Sequence, residues 1–391
     1  MDITLKPPNS LSRPLFVPKK LLMGPGPTNS SPRVLKAMGL PILGHMHEEC
    51  INVMDEIKEG LQFVFQTKNP VTLAISSSGH GGMEAAMCNL IEPGDTVLIA
   101  VNGIWGERAS DIAHRYGAKV EILKKSPGKT FTVDELEKSI IKYKPILFFL
   151  TQGESSTGVY QALDGFGEIC RRNNCLFVVD TVASLGAVPV FTDLWKIDIV
   201  YSGSQKVLGA PPGLAPISFS SQALNKVYAR KSPISVFYWD ITKLGNYWGC
   251  FGEARMYHHT ISCSLLYGLR EGLAELVEEG LPNSWKRHKD CANRLYEGIN
   301  KIGLKLYVEN ENCRLPTVTT IRSPPEINTK HVSKYAMERY NVEISGGLGP
   351  SAGLVMRIGL MGYNANFSNV DTVLDVLQEA MEYAKHNKSK L

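Results

Sequence analysis

Short apolar runs separated by segments of helix length limit this chain most. The runs are "VTLAISSS" (71–78), "TVLIAV" (96–101), "KVEILK" (119–124), "ILFFLT" (146–151), "CLFVVD" (175–180) and "IDIVYS" (197–202). A strand covered on both faces needs no alternation of polar and apolar side chains. Such runs therefore read as a mostly parallel sheet flanked by helices, and the expected class is α/β. Between them, Ile51, Met54, Ile57, Leu61, Val64 and Phe65 recur at the spacing of one helix face.

The pattern changes near residue 281. A long helix, "NSWKRHKDCANRLYEGINKIG", leads to strand candidates "KLYV", "TVTTIR", "VEIS" and "VMRIGLM" and to a closing helix. Val370, Val373, Leu374, Leu377, Met381 and Ala384 share a face of that helix, and Ser368 with Asp371 supplies its capping signal. A length of 391 residues suits two cores. We expect an extended arm over 1–20, a large ligand-binding domain over 21–280 and a smaller α+β domain over 281–391. Prolines 7, 8, 14 and 18 forbid a regular helix in the arm. Its Pro14, Leu15, Phe16 and Val17 favour docking on a partner.

A net charge of +4, from 42 basic and 38 acidic residues, is too balanced for a nucleic-acid partner. No run reaches the roughly 18–20 apolar residues of a membrane span, and the N-terminus lacks the apolar core of a secretory signal. The eight cysteines include no CxxC pair, which argues for free thiols and against a zinc site. His258-His259 and His45-x-His47 lack a nearby cysteine or carboxylate at ligand spacing, so no metal is expected. The sequence ends in Ser389-Lys390-Leu391, the tripeptide of a peroxisomal address.

Ligands of open α/β sheets bind beyond the carboxyl ends of the strands. At one such end lies Ser78-Gly79-His80-Gly81-Gly82, a turn that opens a helix we expect from Met83 onward. It suits an anion, or it is simply a structural turn. Neither the GxGxxG fingerprint nor the P-loop pattern is present. Asp180 closes another run, either as a helix N-cap or as the partner of a cation. Lys206, in "YSGSQKVLGAPPG", is a candidate amine nucleophile, a phosphate ligand or a solvated side chain. Asp180 and Lys206 lie 26 positions apart, the length of one crossover, so they can face one cleft. A carboxylate, an amine and an anion cradle match the three handles of pyridoxal phosphate: ring nitrogen, aldehyde and phosphate. Trp105 could stack on the ring or pack in the core.

With these motifs the chain resembles the alanine–glyoxylate (serine–pyruvate) aminotransferases, a family of fold-type I pyridoxal phosphate enzymes. The likeness is carried by "LLMGPGPTNSSPRV", "SSSGHGGMEAA", "NGIWGERA", "FLTQGESSTGV", "FVVDTVASLG", "YSGSQKVLGAPPG", "YWGC", "RMYHHT", "RLPTVTT" and "ISGGLGPSAGLVMRIGLMG". The resemblance implies that Lys206 holds the cofactor aldehyde as a Schiff base, Asp180 bonds the ring nitrogen and Trp105 stacks on the ring. Ser78, Gly79, His80 and Gln205 would hold the phosphate, reached by Tyr257 and Thr260 of a second subunit in a homodimer. Arg357 would grip the substrate α-carboxylate, Ser155 would sit beside cofactor and substrate, and Gly44 and His45 would approach from the neighbouring chain.

The expected reaction moves the amino group of L-alanine to glyoxylate, giving pyruvate and glycine, and a peroxisomal address agrees with it. The nearest rival, 3-hydroxykynurenine transaminase, tends to carry Ser-Asn where this chain has Gly44-His45. Cysteine desulfurases place a histidine before the lysine, where this chain has Gln205. A nicotinamide-dependent oxidoreductase would need the missing glycine fingerprint.

Overall fold

A computed structural model describes residues 5–386. Seven strands form the main sheet in the order Val71–Ile75, Ala215–Phe219, Ile199–Tyr201, Leu176–Asp180, Leu147–Thr151, Thr96–Val101, Lys119–Lys124. All neighbours are parallel except Ala215–Phe219, which runs antiparallel to both of its own. Val71–Ile75 and Leu147–Thr151 are buried throughout, as expected of strands covered on both faces. Lys119–Lys124 is the sheet edge and carries its lysines into solvent, which blocks edge-to-edge pairing.

Glu48–Phe65 turns Cys50, Met54, Ile57, Leu61, Val64 and Phe65 inward and ends at Gln66 in the left-handed conformation (φ 52°). It packs on Cys263–Glu279. A second apolar core joins Leu295, Ile299, Val332, Met356, Ile358, Val373 and Leu377 with Met23 from the start of the chain. Its sheet is antiparallel, with Val355–Gly359 between Val318–Arg322 and Ser345–Gly346.

Four local expectations are corrected. Ala215–Phe219 is a further strand that the six apolar runs do not include; Pro216 lacks an N–H for the ladder, but its carbonyl accepts from Ser202 N at 2.9 Å. The glycine-rich turn is already helical, since the helix spans Gly79–Leu90 and does not begin at Met83. "KLYV" and "VEIS" do not form full strands. Leu306 makes only an isolated bridge to Ile321, and Val342 bridges to Leu21 at the start of the chain. The closing helix, Phe367–His386, is capped by Asn366, whose Oδ1 accepts from Asn369 N at 2.9 Å. Asp371 instead binds Arg294 at 2.6 and 2.8 Å.

Candidate functional site

The carboxyl ends of five parallel strands, or the segments that follow them, surround a cavity of about 210 Å³. Its wall includes Ser78, Gly79, His80, Trp105, Ser155, Asp180, Gln205 and Lys206, eight of the thirteen residues singled out in the sequence. Asp180 ends Leu176–Asp180 and stands in register with Tyr201, the last residue of the adjacent Ile199–Tyr201. The chain leaves that strand into the loop bearing Lys206. One crossover thus brings the two charged groups together.

Asp180 Oδ1 accepts from Val182 N at 2.8 Å, and Oδ2 accepts from Tyr201 Oη at 2.7 Å. No helix follows, so the N-cap alternative is excluded. Burial raises the carboxyl to about 6, opposed by both hydrogen bonds and by Lys206. The two hydrogen-bond donors and the lysine favour its charged form. Desolvation lowers Lys206 to about 8, and Arg357 adds to that, while Asp180 and Glu343 oppose it. The amine donates to the carbonyl of Pro25. A Cβ on Gly26 would collide with the lysine side chain, and its φ of 109° also favours glycine.

The opposite side of the cavity is built to meet an anion. Ser78 is the N-cap of Gly79–Leu90, yet its hydroxyl makes no capping bond. Gln205 Oε1 is buried without a hydrogen-bond partner among the described residues. Gly79 lets Val182 pack against the turn, where a Cβ would come within 2.9 Å of Val182 Cγ2. His80 meets Trp105 edge-on, with ring centroids 5.5 Å apart. Burial, and next Arg108, lowers the His80 pKa, which favours its neutral form.

Trp105 Nε1 donates to Ser155 Oγ at 2.9 Å, leaving the serine proton free to point elsewhere. Arg357 lies on the central strand of the small sheet, opposite Thr320 and Ser345. Its Nε donates to Gly346 O at 2.7 Å and its Nη1 to Ser155 O at 3.3 Å, which aims the guanidinium at the Ser155 side of the cavity. Burial lowers its pKa, and Glu154 and Glu343 oppose that shift. Of the other five, Arg357 adjoins the wall through Ser155, whereas Gly44, His45, Tyr257 and Thr260 lie off it. They gather elsewhere on the chain: the His45 and Tyr257 rings lie 5.0 Å apart, and Tyr257 Oη is 3.4 Å from Thr260 Oγ1.

Two contributors escaped the sequence reading. Tyr201 holds Asp180, and Glu154 fixes the Trp105 loop. Glu154 accepts from Trp105 N at 3.1 Å and from Ser156 N at 2.9 Å, and burial raises it to about 7. Both lie within quoted motifs. A carboxylate in the otherwise uncharged stretch "LTQGESSTG" was the available signal for Glu154.

The family model described as Aminotransferase class-V matches residues 22–373. This chain belongs to the class V aminotransferases. A curated relative named alanine–glyoxylate aminotransferase, from Callithrix jacchus, is 53% identical over 387 residues, covering 99% of this chain and 94% of that relative. The Drosophila melanogaster protein of the same name is 52% identical over 380 residues, covering 97% and 96% of the two chains. A crystal structure of alanine–glyoxylate aminotransferase from Nostoc sp. superposes with a TM-score of 0.93 at 42% identity, covering 96% of this chain and 100% of that one. Class V aminotransferases depend on pyridoxal phosphate. The cavity of this class V aminotransferase fits that group: a buried carboxylate held by two donors, a desolvated amine, and a cradle whose Ser78 and Gln205 side chains are left uncommitted.

Proposed function

We propose that the chain transfers the amino group of L-alanine to glyoxylate, giving pyruvate and glycine. The observation that carries this reading is the lysine–carboxylate cavity in a chain more than half identical, over nearly its full length, to proteins named for that reaction. Asp180 would bond the cofactor ring nitrogen and keep it protonated, and Lys206 would hold the aldehyde. Ser78, Gly79, His80 and Gln205 would hold the phosphate, with Trp105 against the ring. When bound, the cofactor supplies an aldehyde that condenses with amines and a ring that withdraws electron density from the substrate Cα.

The rest is the work of side chains. Arg357 pairs its planar guanidinium with the substrate α-carboxylate. Ser155, its oxygen already occupied by Trp105, donates beside the substrate. Desolvation lowers the pKa of Lys206 Nζ, which favours the neutral amine that takes the Cα proton as general base and returns it as general acid. Turnover of alanine, serine and 3-hydroxykynurenine with glyoxylate and with pyruvate tests the assignment. Alanine with glyoxylate is expected to give the highest kcat/KM, and a larger value for 3-hydroxykynurenine would overturn it.

The same reading extends to a homodimer in which Tyr257, Thr260, Gly44 and His45 complete the neighbouring site. It is supported by the exposure of Tyr257, 60%, and by its separation from its own chain's cavity. Among the described residues no helix is long and apolar enough to cross a membrane. Residency in the peroxisome, through an import receptor reading Ser389-Lys390-Leu391, is proposed from the sequence; those three residues lie outside the described ones. Expression of a chain lacking Leu391 checks it, with a cytosolic distribution expected and continued peroxisomal import as the contrary result.

A further inference from the structure

The segment Tyr257-His258-His259-Thr260 turns its outer two side chains to solvent and its inner two into the protein. The inner pair makes a chain of hydrogen bonds. His258 Nε2 lies 3.3 Å from the carbonyl oxygen of Phe237, His258 Nδ1 lies 2.8 Å from His259 Nδ1, and His259 Nε2 lies 2.6 Å from Ser76 Oγ. Tautomers follow from the carbonyl, which can only accept. His258 therefore carries its proton on Nε2 and accepts at Nδ1. His259 donates from Nδ1 and accepts at Nε2, and Ser76 donates its hydroxyl proton.

Every polar atom of the two neutral rings is satisfied by this single arrangement. The pocket also favours neutrality. Burial first, then His258 and His45, lowers His259 to about 4. Its other ring neighbours are Tyr238 at 5.1 Å and Tyr247 at 5.5 Å, and none of these is a carboxylate that could hold an imidazolium. Phe237 stacks on His258 at 4.9 Å. Ser76 directly follows Val71–Ile75, a fully buried strand, and so is a fixed point. The strut thus joins the rigid end of the sheet to a segment whose two exposed side chains are outside the lining of the chain's own cavity.

We propose that Ser76, His259 and His258 are positioning residues that hold Tyr257 and Thr260 in the posture in which they complete the cofactor site of the second subunit. This rests on the dimer reading above. Ser76, His258 and His259 do not line their own chain's cavity, so loss of the strut should weaken cofactor retention in the partner and leave turnover at saturating cofactor unchanged. One buried hydrogen bond of ordinary strength corresponds to roughly a fivefold change in affinity.

The test uses mixed dimers in which one subunit carries Lys206→Ala, so that only the other subunit's cofactor is read by absorbance. With His259→Asn placed in the Lys206→Ala subunit, the intact site of the partner should lose cofactor affinity roughly fivefold or more. With His259→Asn placed beside the intact lysine, the affinity should stay as in the parent mixed dimer. Ser76→Ala, which removes only the far end of the strut, carries the same expectation should the histidine variant fold poorly. His259→Gln, whose amide reaches the Nε2 position, should restore the bond to Ser76 and much of the affinity. Thr260→Ala in the Lys206→Ala subunit is the control. If it weakens the partner site while neither strut variant does, the strut proposal is wrong. If Thr260→Ala itself has no effect across the interface, the dimer reading fails instead. A loss confined to the mutant's own site would also overturn the proposal.

Discussion

Burial pushes Lys206 and Asp180 towards their neutral forms, and each opposes the shift of the other across one cavity. The lysine falls from its usual 10.5 to about 8 because desolvation penalises the ammonium. Between those values the unfolded chain holds a proton that the folded chain has released. The unfavourable share of folding free energy from this group is therefore full below about pH 8 and fades as pH rises towards 10.5. In cofactor-free protein, an amine-acylating reagent should modify Lys206 with a half-maximal rate near pH 8, read by peptide mass, while surface lysines follow the ordinary range. A midpoint near 10.5 would contradict the desolvated environment. Arg357 offers a second check. Lysine at that position keeps a charge but loses the planar fork held by Gly346 and Ser155. Arg357→Lys should lower kcat/KM for amino acids by about ten- to a hundredfold, chiefly through KM. An unchanged KM would remove Arg357 from carboxylate binding.

Among elements, strands buried on both faces were the most legible, because a continuous apolar run has few other uses. Leu147–Thr151 and Leu176–Asp180 start within one residue of their sequence bounds. Ala215–Phe219 lies outside the six apolar runs, and the sheet tolerates its Pro216 because only the carbonyl is asked to bond Ser202. Caps were less legible: Asn366 and Ser368 are both competent, and only the final turn geometry selects Asn366. A contact between distant elements leaves no local trace at all. Gly362 donates its N–H to His288 Nε2 at 3.0 Å, and its carbonyl accepts from Arg287 Nη1 at 2.8 Å. With φ at 53°, it lies close against the loop of Lys206, where a Cβ would meet Val207 O at 2.5 Å. Gly362→Ala should thus cost about 1–3 kcal/mol in unfolding free energy by overpacking. It should also weaken cofactor retention, because the displaced carbonyl adjoins Lys206. Denaturant unfolding and a cofactor titration measure the two effects, and an unaltered pair would mean that the loops can part freely.

At the scale of the molecule, the sequence exposed the chemistry of the site better than its supports. Asp180, Lys206 and the glycine-rich turn are legible because charge or glycine at a strand end is costly without a purpose. Tyr201 and Glu154 were missed because their roles appear only when strands from distant positions are set side by side. The N-terminal arm poses the remaining question of scale. Within its described part, Leu15 is 91% exposed and Phe16 84%, with Leu5, Leu11 and Val17 also in solvent. So many large apolar side chains on one short segment find no cover on their own chain, and a concentration of this kind marks a contact surface. Fully burying one such side chain contributes about 1.5–3 kcal/mol, so two or three of them suffice to shift an association constant by orders of magnitude. Removing residues 1–20 should therefore raise the dimer dissociation constant at least about tenfold, seen by sedimentation at falling protein concentration. Because the dimer reading has each site completed by its neighbour, cofactor should leave the truncated chain over the same concentration range in which it dissociates. A truncated chain that dissociates yet keeps its cofactor would separate the arm from the site, and one that stays as tightly paired as the full chain would place the arm elsewhere.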